Sequence, residues 1–460
     1  MSLRTLAERL TRGNVRRGPR SALFAMLVVA LALLAVLALR GRPGGRDGRP
    51  NVLLVTVEAT RADHCSLYGY ERQTTPFLGE LARESIVFDN AWSASSWTKP
   101  SIASIFTGQY PSEHGVVRTT AALPDSAYTL AERLHDAGYF TLGFATSTPI
   151  APPEFCFSQG FDIFVECGQP RAADLFATVL SDLEAARPPW FCWVHVYDPH
   201  SAYDAPQPWR DKWRDGYAGP LLNWPIVDAP TLRDADNAGE LSEADRAYAL
   251  ARYDAEIRYT DECLRAFVRQ CRTRGLWQHT VLVLTADHGE SLGETVSEIK
   301  HWAHSGPVSP GLCHVPLLIR LPELRTARVA EPVGCADLLP TVLALAGAPA
   351  APGTHGRDLL RDPDRRPVLC EWFKQTDNPD AVVLWARGVV QGTALLTVEG
   401  YQDGSCIARR HENGRRYTAD LEDVGRVVNA AAPWPVALPD HDAAAASERT
   451  LRELRDLGYL

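Results

Sequence analysis

Three apolar runs frame this chain. Residues 52–57 (VLLVTV) run into Glu58, residues 191–197 (FCWVHVY) into Asp198 and His200, and residues 281–285 (VLVLT) into Asp287 and His288. Short unbroken runs rich in Val and Leu read as strands of a parallel sheet buried on both faces. Ligands of open α/β sheets bind beyond the carboxyl ends of such strands. Three ends carrying Glu, Asp and His therefore predict one converging site, with donor types that suit a divalent metal.

Between these runs the pattern changes to helical spacing. Helices are expected over 76–85 (PFLGELARES), 129–137 (TLAERLHDA, stopped by Gly138), 174–186, 243–274 and 338–346, the last stopped by Gly347. Strands alternating with helices imply a parallel or mixed sheet covered by helices. Residues 206–238 are rich in Trp, Pro, Asp and Gly and read as a long surface excursion, a candidate lid. Beyond residue 365 the runs shorten (381–384 and 388–390), which predicts a smaller antiparallel sheet closed by a helix over 443–457.

The N-terminus breaks the pattern. Residues 21–39 (SALFAMLVVALALLAVLAL) carry no charge over 19 positions, roughly 28 Å as a helix and close to a bilayer core. Six Arg precede this run and four follow it, which favours a cytoplasmic N-terminus. No small-x-small cleavage site follows, so a signal anchor is preferred over a cleaved signal peptide. The expected order is a basic cytoplasmic segment (1–20), a transmembrane anchor (21–39), a Gly/Pro/Arg linker (40–50), a catalytic domain (51–364) and a C-terminal subdomain (365–460). This places the protein in the cell membrane as a single-pass protein with its catalytic domain outside the cytoplasm.

Over the 460 residues the net charge is −9, although residues 1–50 hold ten Arg against Glu8 and Asp47. The body is thus strongly acidic, which argues against nucleic acid as a partner. The ten Cys include no CxxC, which argues against a structural zinc site. Cys156 and Cys167 flank a Gly-containing loop and could pair, whereas Cys192 lies in a buried-looking strand.

Residues 95–108 (SSWTKPSIASIFTG) hold a second candidate. Pro100 suits the first turn of a helix, so Thr98 stands beside a helix N-terminus that stabilises anions. Thr98 is then either a nucleophile activated by a metal or simply a helix cap.

Taken with NVLLVTVEATRADHCSLYGY (51–70), SSWTKPSIASIFTGQYPSEHGV (95–116), Asp198 to His200, YDAEIRYTDE (253–262), LTADHGESLGE (284–294), HVPLLIRLP (314–322) and the terminal LGYL, the chain resembles the sulfatase family of the alkaline-phosphatase superfamily. The matches run in the family's order from about residue 50 to the end. The resemblance implies an α/β sandwich with a large mixed, mainly parallel sheet flanked by helices, plus a small C-terminal antiparallel sheet and helix. It also implies a metal-assisted esterase that forms a covalent intermediate on one side chain.

Thr98 falls at the family's nucleophile position. Pro100 and Ser101 match the motif there, but Ile102 replaces its Arg. With neither Cys nor Ser at 98, no formylglycine is expected. Glu58 stands where the family usually has an Asp metal ligand, and Ala59 replaces its frequent second Asp. Asp287 and His288 match the later ligand pair, and His304 matches the His of an HG element. The family's Gly-Lys-Trp-His element is missing, with residues 143–148 (GFATST) near its place. Glu58, Thr98, Asp287 and His288 as one set resemble the phosphoethanolamine and lipoteichoic acid phosphoglycerol transferases of the same superfamily.

On this reading Glu58, Thr98, Asp287 and His288 hold a metal, with Zn²⁺ or Mn²⁺ favoured and Ca²⁺ an alternative. Thr98 attacks the ester, and His200 or His304 protonates the leaving oxygen. Asp198, His200 and His304, with Lys99 as an anion contact, form either a second metal site or a substrate pocket. The expected substrate is a sulfated or phosphorylated glycan, lipid or small molecule. The leading expectation is a membrane-anchored sulfatase-family hydrolase of sulfate or phosphate esters with a metal-activated Thr nucleophile; a phosphoethanolamine- or phosphoglycerol-type envelope transferase and a catalytically degenerate binding protein are the alternatives. Asp63 either supports Glu58 or pairs with Arg61. His114, His301 and His314 are read as local hydrogen-bonding groups, and Asp254 and Asp261, seven apart on one helix, as structural or solvated.

Overall fold

A computed structural model of the chain describes residues 48–427, apart from 148, 225, 297–298, 363–366, 375–383, 401–405, 413–414, 421–422 and 425–426. The expected anchor at 21–39 and the expected helix at 443–457 lie outside the described residues. Among those described, no helix is long and apolar enough to cross a membrane.

Among the described residues eleven strands precede the tail: β1 (Asn51–Val57), β2 (Ile86–Trp92), β3 (Phe140–Ala145), β4 (Ile163–Glu166), β5 (Trp190–Val196), β6 (Thr280–Ala286), β7 (Ser291–Val296), β8 (Ile299–Ala303), β9 (His314–Arg320), β10 (Ala327–Val329) and β11 (Val333–Gly334). Nine of these form one mixed sheet in the order β10-β2-β9-β6-β1-β5-β3-β4, with β11 paired to β2. β1 is flanked in parallel by β5 and β6, while β9 runs antiparallel to both β2 and β6. The three apolar runs are thus the three central neighbours, and their polar ends lie together on one rim.

Both faces of the sheet are covered, which is why the runs do not alternate with polar residues. On one face Val52, Leu54 and Trp193 pack with Ile102, Phe106, Leu130, Leu338 and Val342. These come from the helices Thr98–Thr107, Leu130–Asp136 and Leu338–Leu345. On the other face Leu53, Val55, Cys192 and Val194 meet Phe77, Leu175, Val179, Leu264 and Phe267, from the helices Pro76–Leu81, Ala172–Ala185 and Glu243–Thr273. The one-residue alternation of β1 between these two cores is the period of two that a strand imposes.

Helix ends follow the sequence signals. Thr129 caps Leu130–Asp136 with Glu132 reaching back, and Ser242 caps the long helix with Asp245. The excursion at 206–238 is a folded layer rather than a bare loop. Its helix Ala229–Asn237 and neighbouring Leu221 and Val227 bury themselves against Tyr248 and Tyr253 of the long helix. It also docks on the β7–β8 hairpin, where Trp302 Nε1 donates to Asp236 Oδ2 at 2.9 Å. The tail forms a five-stranded antiparallel meander: β12 (Val368–Lys374), β13 (Leu384–Gln391), β14 (Ala394–Gly400), β15 (Cys406–Glu412) and β16 (Arg415–Thr418). The suggested pairing of Cys156 with Cys167 is corrected: both carry free thiols, as do the other eight cysteines. Each of the two thiols faces a nearby carbonyl, Glu154 O and Val165 O respectively.

Candidate active site

The rim gathers its groups from five segments. Glu58 follows β1, His195 lies near the end of β5, and Asp287 and His288 follow β6. Thr98 opens its helix after Trp97, and Ser147 follows β3. All six are buried. Ala59, at φ 53°, holds left-handed backbone directly after Glu58, a conformation that costs a non-glycine residue about 1–2 kcal/mol. Its N–H donates to Asp287 Oδ1 at 3.2 Å, tying the end of β1 to that of β6.

Thr98 Oγ1 donates to Glu58 Oε1 at 2.9 Å and lies 3.2 Å from His288 Nε2. Ser147 Oγ donates to the same Glu58 oxygen at 3.1 Å. His288 Nε2 is 3.4 Å from Asp287 Oδ2, and His288 Nδ1 is 2.7 Å from the Gly289 carbonyl. A carbonyl can only accept, so the ring proton sits on Nδ1 and the Nε2 lone pair faces Thr98 and Asp287. Glu58, Thr98, Asp287 and His288, scattered over 231 positions of sequence, therefore meet at one point.

Around this point the hydrogen bonding is incomplete. Glu58 Oε2, Asp287 Oδ2 and His195 Nε2 are buried without a hydrogen-bond partner. His195 Nε2 is 3.5 Å from Glu58 Oε2 and 3.9 Å from Asp287 Oδ2, beyond ordinary hydrogen-bond length. Glu58, His195 and Asp287 can each offer one ligand atom within 4.8 Å of the others. Buried carboxylate oxygens without donors cost several kcal/mol unless a cation meets them, so this donor set fits a divalent metal.

The electrostatics divide the groups. Burial would raise the Glu58 carboxyl, but His200, His195 and His288 together hold it low. Asp287 is pushed up by burial, against the pull of His195 and with Glu58 adding to the rise. Burial, reinforced by His304, drives His288 well below the usual imidazole range and keeps it neutral. His200 is lowered by burial as well. His304 moves the other way, because Glu290 outweighs its burial; Glu290 Oε1 lies 3.3 Å from His304 Nδ1.

His200 and His304 join the cluster: the His304 ring is centred 4.4 Å from His288 and 4.9 Å from His200. Asp198 is engaged elsewhere, accepting from Arg171 at 3.2 Å and from the Ala172 amide at 2.7 Å. Lys99 is fully buried, with its ammonium donating to the Thr119 and Ala121 carbonyls and lying over the Phe155 ring. Asp63 pairs with Arg61. His114 holds Ser104 and the Val116 amide. His314 lies 3.1 Å from the Asp89 carbonyl. Asp254 and Asp261 are buried and not solvated. Sequence reasoning missed His195, Ser147 and Glu290. The signal for His195 was an ionisable residue inside an otherwise apolar strand; Ser147 had none beyond standing near the missing family element.

A nine-stranded mixed sheet whose rim gathers acid, imidazole and hydroxyl groups, with a small antiparallel sheet after it, is the architecture of the alkaline-phosphatase superfamily. A crystal structure of the phosphonate monoester hydrolase of Agrobacterium radiobacter superposes with a TM-score of 0.62 at 18% identity, covering 90% of this chain and 96% of that one. The sulfatase family profile matches residues 50–348, and the chain belongs to the sulfatase family of ester hydrolases. Among relatives, an ulvan-active sulfatase of Formosa agariphila is 26% identical over 355 residues, 69% of this chain and 66% of its own. A choline-sulfatase of Rhizobium meliloti is 24% identical over 402 residues, 73% of this chain and 77% of its own. The chain thus spans about two thirds of the length of the first of these relatives.

Proposed function

We propose that this protein is a metal-dependent hydrolase of sulfate or phosphate esters in which Thr98 is the nucleophile. The observation that carries this reading is the position of Thr98 Oγ1, between Glu58 and His288 at the N-terminus of a buried ten-residue helix. Glu58, Thr98, Asp287 and His288 would hold a divalent cation, with Zn²⁺ or Mn²⁺ favoured by the mix of oxygen and imidazole donors. Bound there, the cation supplies Lewis-acid neutralisation of the charge that develops on the nucleophile and ester.

The chain's own groups supply the rest. Glu58 accepts the Thr98 hydroxyl proton's hydrogen bond and so orients Oγ1, and the helix N-terminus adds partial positive charge where the anion forms. The histidines sort by environment: His288, neutral with its lone pair facing inward, is a ligand. His304, whose proton affinity Glu290 raises while burial lowers that of His200, is the better general acid for the leaving oxygen. Sulfated glycans are the favoured substrate class, since relatives include an ulvan-active sulfatase. The uncharged run at 21–39 supports a membrane-anchored enzyme working outside the cytoplasm. An envelope phospho-group transferase is the second reading, favoured by the Glu, Thr, Asp and His set.

The test compares the full chain with Thr98→Ala against an aryl sulfate, a phosphate monoester and a phosphodiester. Loss of an activated nucleophile predicts a fall in turnover of about 10⁴-fold or more on the preferred ester. Equal turnover by both proteins removes Thr98 from the chemistry. Turnover of a lipid phosphodiester only when an acceptor is present selects the transferase.

A further inference from the structure

His304 stands in strained backbone. Ala303 before it has φ 126° and Ser305 after it has φ 64°, both in the left-handed region that residues with a side chain seldom take. Such a turn persists only where its surroundings hold it. Upstream, Ala303 is held in the β7–β8 ladder opposite Ser291. Downstream, the hold comes from Ser96. The Ser305 amide donates to the Ser96 carbonyl at 2.9 Å, and Ser96 Oγ donates to the Gly306 carbonyl at 2.6 Å. Serine hydroxyls in loops commonly close turns in their own neighbourhood. Ser96 is buried and turns its hydroxyl to a segment 210 positions away.

Ser96 is itself firmly placed. Its neighbour Ser95 donates from Oγ to the Glu371 carbonyl of β12 at 2.6 Å, and the Glu371 amide donates to the Ala94 carbonyl at 2.8 Å. The Ser95 carbonyl accepts from Ser93 Oγ at 2.7 Å and from Ser101 Oγ, in the first turn of the Thr98 helix, at 3.0 Å. Thr98 follows two residues after Ser96. We propose that Ser96 is a positioning residue that sets His304 at a fixed place relative to Thr98. One anchored loop then carries the nucleophile and braces the turn that carries the acid. The inference rests on reading His304 as the acid that protonates the leaving oxygen, and adds what holds it there. Displacing a reacting group by about 1 Å can cost about 100-fold in rate.

The test follows the leaving group. Full-length wild type, Ser96→Ala and His304→Gln, each loaded with Zn²⁺, are assayed on 4-nitrophenyl, phenyl and hexyl sulfate, with the matching methyl phosphodiesters in parallel. The leaving oxygens grow more basic along this series and depend more on a donated proton. His304→Gln is expected to lose about 10²–10⁴-fold on the hexyl ester and progressively less toward 4-nitrophenyl. Ser96→Ala should show the same slope with a smaller loss, about 10–100-fold on the hexyl ester. Hydrogen exchange on the metal-free chain supplies a readout independent of turnover. The Ser305 amide should exchange about tenfold faster in Ser96→Ala, as a local opening, with the melting temperature close to wild type. A Ser96→Ala loss that is equal across the series, or an unchanged Ser305 exchange rate, overturns the inference. A flat loss for His304→Gln defeats the acid reading of His304 itself. A wild type inactive on both series defeats the hydrolase reading, while the exchange rate still decides the brace.

Discussion

Two pairs of buried acids lie close to the central strands, and they are treated in opposite ways. Asp254 and Asp261 sit on the long helix Glu243–Thr273, and each of their oxygens has a donor. Asp254 is met by His64 at 2.7 Å and by Tyr70 and Arg72 at 2.8 Å. Asp261 receives the Phe77 and Leu78 amides at 2.9 Å and so caps the helix Pro76–Leu81. Glu58 and Asp287 are as deeply buried, yet each keeps one oxygen without a donor. Burial of an acid is thus shared by structural and functional positions. The unmet oxygens separate this pair from Asp254 and Asp261, and their convergence with His288 and Thr98 marks a place where something else can bind.

The largest effect that could break this comparison is on stability. Asp254→Ala strands Arg72, Tyr70 and His64 and is expected to destabilise the fold by about 3 kcal/mol, seen as a lower melting temperature with zinc binding per folded molecule unchanged. Asp287→Asn can keep an oxygen for the Ala59 and His288 amides while it removes a charge whose Oδ2 has no donor, so the metal-free protein should melt no lower than wild type. A large loss for Asp287→Asn in metal-free protein would put both acids in the structural class.

Metal removal comes next. At a free metal concentration a hundred times its dissociation constant, binding adds about 2.7 kcal/mol. A chelator should lower the melting temperature of the wild type accordingly and leave Asp287→Asn where it was. Identical shifts in the two proteins would show that the chelated ion lies elsewhere.

The smallest effect concerns a region away from the rim. His411 on β15 is buried, and burial together with the nearby Arg416 pushes its imidazole down to about 4. The folded state disfavours its protonation. The associated stability is therefore complete above the unfolded value near 6.5 and is lost as pH falls toward 4, about 2 kcal/mol by pH 5. His411→Gln should flatten this acid limb of the melting curve; an unchanged limb would remove His411 as its source.

Much of the site could be read from the sequence because its residues terminate strands. The runs ending at Glu58 and at Asp287–His288 declared both a buried strand and its polar end, and Thr98 was marked by Pro100 at a helix start. Interior positions were harder. His195 looks like one more member of FCWVHVY, and its environment depends on Thr56, which only the pairing of β1 with β5 brings to it. Ser147 reaches Glu58 from a loop without motif. The 206–238 segment lacked a strong period because its apolar residues are few, yet Leu221, Val227 and Leu232 are enough to seat it on the long helix. The β7–β8 hairpin was hidden within the polar stretch after Glu290, where Gly293 takes a left-handed turn beside Trp302.

The account depends on Glu58 and Asp287 sharing one cation, and metal content measures this most directly. The full-length wild type, Glu58→Gln and Asp287→Asn are each loaded with Zn²⁺, desalted, and assayed for metal retained per folded chain. The account predicts that the wild type keeps its zinc and that both variants lose it while remaining folded. Zinc retained equally by all three proteins would contradict it.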